Sequence, residues 1–103
     1  MSSNIPFHHL DKTIHERARL AIMTTLTTQP RSSFQSLKSA LDMTDGNLMS
    51  HLNTLSKAGL ISSSKSPSHS KSHTTFVLTV KGKEAFNQYR SILKEIVAAT
   101  DET

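Results

Sequence analysis

Thr44–Ile61, TDGNLMSHLNTLSKAGLI, decides the fold of this chain. At about 100° per residue, Leu48, Leu52 and Leu55 fall in one narrow arc, the pattern of a helix with a core-facing stripe. Thr44, Asn47, Ser50, His51, Thr54 and Lys57 are assigned to the opposite side. A surface helix ordinarily carries Glu and Lys there, which favour the helix and pair at i,i+4. Asn, Ser, His and Thr are poorer helix formers, but their side chains donate and accept hydrogen bonds and suit the edges of bases. Thr44 can cap the helix start, and Gly59 stands where a left-handed residue is needed to stop it. The stretch reads as a recognition helix.

The flanking residues extend that reading. Phe34–Leu41, FQSLKSAL, is a short amphipathic helix with Phe34, Leu37 and Leu41 on one face and Ser32 or Ser33 as its cap. Asp42 and Met43 give a tight connection, so residues 33–58 form a helix-turn-helix, whose first helix crosses the DNA backbone while the second enters the major groove. After Gly59, residues 60–79 read as a hairpin: Leu60-Ile61, a polar run SSSKSPSHSKSHT, then the β-branched strand TTFVLTV. Two strand-like pieces around a basic tip make a wing.

With those motifs in place, the chain resembles the winged helix-turn-helix transcriptional regulators of the ArsR/MarR type, in particular their small stand-alone winged helix DNA-binding domains. The residues that carry the resemblance are F-x-x-L-K-x-x-L at Phe34 to Leu41, T-D-G-N-L-x-x-H-L-x-x-L-x-x-A-G-L-I at Thr44 to Ile61, and L-T-x-x-G at Leu78 to Gly82. It spans roughly Leu10 to Val97. It implies a mainly α fold with a small β-hairpin, and a dimeric DNA-binding repressor or activator.

Composition sets outer limits. A length of 103 residues suits a single domain with a modest core. There are no cysteines, hence no disulfide framework, thiolate metal site or thiol switch. The formal net charge of +4 suits a polyanionic partner without requiring one. No run approaches the roughly 20 apolar residues of a membrane span, and no apolar signal core opens the chain, so a cytoplasmic protein without membrane contact is expected.

Asp11 to Thr28 is expected as one helix, with Ile14, Ala18, Ile22 and Leu26 at helical spacing, ended by Pro30. Residues 1–10 carry Ile5, Phe7 and Leu10, apolar enough to pack on a neighbour. The last helix, residues 80–99, follows Thr79 as a candidate N-cap. Its apolar residues from Ala85 to Val97 spread over about 160°, wider than the ~100° stripe of a surface helix. Such a helix can lie across its own core and leave some apolar surface exposed, or pack on the same helix of a second chain; Phe86, Tyr89, Ile92, Leu93 and Ile96, with Phe7 and Leu10, are assigned to the latter, a homodimer interface. Relatives that dimerise through their terminal helices point the same way.

Asn47 can pair bidentately with adenine, or serve as the capping-box partner of Thr44; His51 can contact guanine or phosphate, or simply be solvated. Gly46 costs the helix up to ~1 kcal/mol, which close approach of a phosphate or of the preceding helix would explain. Asp45 favours the helix N-terminus through the dipole. Lys38, with Arg31 nearby, is assigned to the DNA backbone. Lys65 and Lys71 on the wing, with His69 and His73, are assigned to phosphates; Lys65 to Lys83 contains no Asp or Glu. Six histidines raise a metal hypothesis, but without cysteines or ligand spacing on any helix no metal, cofactor or catalytic site is assigned. Double-stranded DNA is the expected partner, and no small-molecule effector is named. Two alternatives stay open: a winged-helix protein-interaction module, and a ligand- or metal-responsive sensor with its site at the dimer interface.

Overall fold

A computed structural model describes residues 5–65 and 74–102. The elements run α1 (Arg17–Thr28), β1 (Ser32–Ser33), α2 (Phe34–Leu41), α3 (Asp45–Lys57), β2 (Ile61–Lys65), β3 (Thr74–Leu78) and α4 (Val80–Ala99), preceded by a 3-10 turn at Phe7–His9. Four helices and a small antiparallel sheet make the winged-helix arrangement.

The helix boundaries follow local chemistry. Ser33 caps α2 by accepting the Ser36 N–H at 3.0 Å. Asp42, at φ 52°, turns the chain left-handed after α2, a conformation Asp tolerates better than most residues. Thr44 caps α3 through the Asn47 N–H at 3.2 Å. At the other end, Leu60 N–H donates to the Leu55 carbonyl and Gly59 N–H to that of Ser56, with Gly59 at φ +79°. That pair of bonds is a Schellman stop, and it satisfies carbonyls the helix would otherwise leave open.

The first helix begins six residues later than its apolar spacing suggests, at Arg17 rather than Asp11. Asp11 turns its carboxylate onto the N–H groups of Thr13 and Ile14, and this local turn competes with the helix. Glu16 then caps α1 by accepting from Arg19 N–H at 2.8 Å. Ile14 still reaches the core, fully buried, from the turn rather than from the helix.

The wing hairpin gains an unforeseen third strand. The sheet order is β1-β3-β2: Ser32 and Ser33 pair with Phe76 and Thr75 on one side of β3, and β2 pairs from Ile61↔Leu78 to Lys65↔Thr74 on the other. Ser32 is buried, with its hydroxyl donated to the Gln29 carbonyl at 3.0 Å.

Leu48, Leu52 and Leu55 of α3 meet Ile22, Met23 and Leu26 of α1, Leu37 of α2, Ile61 and Phe76 of the sheet, and Phe86 and Tyr89 of α4 in one apolar cluster. Burying each such side chain stabilises the fold by about 1.5–3 kcal/mol. Phe86, Tyr89 and Ile92 thus belong to the interior of their own chain, not to an open interface. Leu10 likewise packs against that core. Tyr89 hydroxyl lies 2.8 Å from His15 Nδ1, which satisfies its polar end. Burial raises its pKa above the usual tyrosine value.

α4 starts against the end of α3. Thr79 N–H donates to the Leu60 carbonyl at 3.0 Å, its hydroxyl donates to the Gly59 carbonyl at 2.6 Å, and the same oxygen caps α4 through Gly82 N–H. A Cβ on Gly82 would overlap the Leu60 carbonyl, so only glycine lets the helix start so close. Gly82→Ala should therefore destabilise the fold by about 1–3 kcal/mol or more, measured by chemical denaturation; an unchanged midpoint would show that this contact gives way freely.

Candidate nucleic-acid interface

With its leucines buried, α3 has a fixed outward face. Taking the Leu48–Leu52–Leu55 stripe as the inner direction, about 100° per residue puts Gly46, Ser50 and Lys57 near the centre of the outer face, with Asn53 and Thr54 about 50° to either side of it. All of these are exposed. On one side the Thr54 hydroxyl is donated back to the Ser50 carbonyl at 3.1 Å. Met49 lies to the other side and is 43% exposed, unusual for so large an apolar residue. A thioether stem suits a thymine methyl, and a free Asn amide suits adenine.

Asn53 and Met49 were not among the residues assigned from the sequence. The signal was available in the helical angle, since Asn53 stands further from the leucine stripe than Asn47 does.

His51 stands off the outer face. The same arithmetic puts it about 70° from the centre of the core stripe, and the structure holds it against α1. Its ring is half-buried, with Nδ1 3.2 Å from Arg19 Nη1 and 3.8 Å from Glu16 Oε1. A guanidinium only donates, so Nδ1 accepts and the ring proton sits on Nε2. Arg19 is anchored in turn by its Nε–H on the Thr13 carbonyl at 2.6 Å, and its Nη1 lies 4.0 Å from Glu16 Oε1. Accepting the Arg19 backbone N–H holds the Glu16 carboxyl below the usual glutamate range, against a smaller opposing effect of burial. His51 ties α3 to α1.

The other assigned residues divide. Thr44 serves as the cap and, at the N-terminal edge, is not on the central outer face. Asn47 is exposed at the rim of a shallow groove of about 450 Å³ between α1 and the α2–α3 turn, lined also by Glu16, Arg17, Leu41, Met43 and His51. Ser50 and Lys57 sit on the outer face as assigned. Lys38 does not stand free: its Nζ lies 2.8 Å from Asp45 Oδ1, an exposed pair that contributes about 0–1 kcal/mol and can open toward a phosphate. Arg31 lines a different groove, with Leu26, Pro30, Val77, Leu78 and Lys83.

Lys65 is exposed at the end of β2. His69, Lys71 and His73 lie outside the described residues. Lys81, which runs beside Gly59 where α3 ends, is a further cation close to the recognition helix. Space around Gly46 is open, so packing on α2 does not account for the glycine. Among the described residues no group of three His, Asp or Glu side chains could hold a metal ion, and no helix is long and apolar enough to cross a membrane.

The family model of the winged helix DNA-binding domain matches residues 18–97. An uncharacterized protein of Methanocaldococcus jannaschii is 33% identical over 78 residues, covering 76% of this chain and 85% of that one. Among solved structures, a transcriptional regulator homologue from Pyrococcus horikoshii is 29% identical with a TM-score of 0.81, over 86% of this chain and 88% of that one. A MarR family transcription regulator is 26% identical with a TM-score of 0.71, over 82% of this chain and 56% of that one. A MarR-like regulator from Thermotoga maritima, at 21% identity and a TM-score of 0.62, shares the fold over 100% of this chain and 69% of its own. The chain belongs to the winged helix DNA-binding domain family and is similar to transcription regulators of the MarR type.

Proposed function

We propose that residues 1–103 act as one winged-helix domain that binds double-stranded DNA as a homodimer and regulates transcription. α3 enters the major groove, and the wing contacts the backbone or the minor groove. The observation that carries this reading is the outer face of α3. From Gly46 to Lys57 it holds neutral donors, an exposed Met49 and one lysine, with no carboxylate to repel DNA. Ser50, Asn53 and Thr54 read bases in this reading, with Asn47 at the rim. Lys57, Lys65, Lys71 and Lys81 meet phosphates, and Lys38 joins them when it leaves Asp45.

The second chain is assigned to the far half of α4. Beyond Ile92 no residue of that helix is buried, and Val97 is 56% exposed beside the half-buried Leu93 and Ile96. Leu93 and Val97 line a groove of about 410 Å³ with Arg90, Lys94, Ala98 and Asp101. Phe7, also 56% exposed, adds apolar surface from the turn that packs on α4. The radius of gyration, 15.7 Å, exceeds the ~13 Å of a compact domain of this length, as a protruding helix would give. A second copy supplies the missing cover.

Selection of bound fragments from genomic DNA, followed by salt titration on specific and scrambled duplexes, tests the reading face. Asn53→Ala should cost roughly 1–3 kcal/mol on the specific duplex and relax preference at one position. Lys65→Ala should instead weaken both duplexes alike and lower the salt slope by about one unit. Equal losses on both duplexes for Asn53→Ala would mean that α3 does not read bases. Gly46→Ala should raise stability by up to about 1 kcal/mol while lowering DNA affinity; improvement in both would move the interface away from Gly46. Sedimentation should find a dimer at micromolar concentration that Val97→Glu or Leu93→Glu shifts to monomer with unchanged helicity, and a wild-type monomer at that concentration would refute the interface.

A further inference from the structure

We propose that the Arg19–His51 bond is a proton-released clasp. While His51 is neutral it holds the recognition helix at its working angle on α1, and protonation of the ring opens it and lowers specific DNA affinity. The affinity consequence rests on the reading of α3 as the DNA-contacting helix.

The geometry leaves His51 one role at a time. Its Nδ1 must present a lone pair to the Arg19 guanidinium, 3.2 Å away. Protonation puts a hydrogen on that nitrogen and sets two cations face to face. Among the described residues, Glu16 is the carboxylate within ion-pair distance of both, with Oε1 3.8 Å from His51 Nδ1 and 4.0 Å from Arg19 Nη1. That oxygen already accepts the Arg19 backbone N–H at 2.8 Å. Arg17, the remaining charged group lining the groove beside His51, adds positive charge, and Asp45 is engaged by Lys38.

Arg19 cannot readily give way, because its Nε–H is fixed on the Thr13 carbonyl at 2.6 Å. The imidazolium is therefore the partner that moves, toward Glu16, and it carries the middle of α3 with it. The leucine stripe keeps α3 in place as a helix; the clasp sets its rotation on α1. Histidine is the side chain whose charge changes between about pH 5 and 8. His51 thus positions the bases' readers without touching a base.

The test separates the clasp from the DNA reading. Ring ¹⁵N spectra of the free protein at about pH 8 should show His51 with its proton on Nε2, and an Nδ1-protonated neutral ring would overturn the clasp. The ratio of specific to scrambled duplex affinity should fall roughly tenfold between about pH 8 and pH 5.5 in the wild type. That ratio cancels any general gain from histidines elsewhere on the DNA-binding surface. In His51→Asn, Oδ1 takes the place of Nδ1, accepts from Arg19 and does not titrate. This variant should keep the ratio seen at high pH and lose the fall. His51→Ala, checked for retained helicity, should be low at both pH values. The same fall in His51→Asn as in wild type, or a loss in His51→Asn equal to that of His51→Ala, overturns the proposal. If no variant binds any duplex, the DNA reading falls and the affinity consequence with it, while the ring tautomer still judges the clasp.

Discussion

Three elements meet at the peptide of Leu60. Its N–H closes the Schellman stop of α3, its carbonyl accepts the N–H of Thr79, and the next residue opens β2. Gly82 stands against the same carbonyl, where a Cβ would overlap it. α3, the hairpin and α4 are thereby fixed to one another through a single turn. Gly59 and Gly82 serve it in different ways. The first permits a left-handed backbone, the second a distance that no side chain would allow.

Much of this was legible in the sequence, because local rules set it. Thr44, Ser33 and Thr79 are small oxygen-bearing residues placed just before apolar-periodic runs, and each is the cap of its helix. Gly59 marks the end of α3 for the same kind of reason. The L-T-x-x-G motif contains the Thr79–Gly82 contact, but from sequence alone nothing says that Leu60, far earlier in the chain, is what Gly82 must accommodate.

What was not legible depended on tertiary partners or on competition between local structures. The spacing Ile14–Ala18–Ile22–Leu26 fits a helix, yet Asp11 takes two backbone N–H groups for a turn and Glu16 starts the helix later. β1 is two serines long, too short to show a pattern, and exists because β3 offers it an edge. Phe86 and Tyr89 look surplus to one small core, but α4 packs on β3 and on the Phe7–His9 turn, and both side chains are buried in the common core. His51 was read as a base reader because of its chemistry. Its angle on the helix, close to the leucine stripe, was the better guide, and the pairing with Arg19 needed the fold to be seen.

The anchoring of α4 at one end has a mechanical side. The helix is 20 residues, about 30 Å, and is held by buried side chains only along its first part. Its last seven residues, Leu93 to Ala99, run about 10 Å past the buried Ile92. A swing of about 10° there displaces the tip by about 2 Å, a short arm on a fixed base. A load applied at Val97 is thus passed along a helix whose other end is locked to the turn that stops α3.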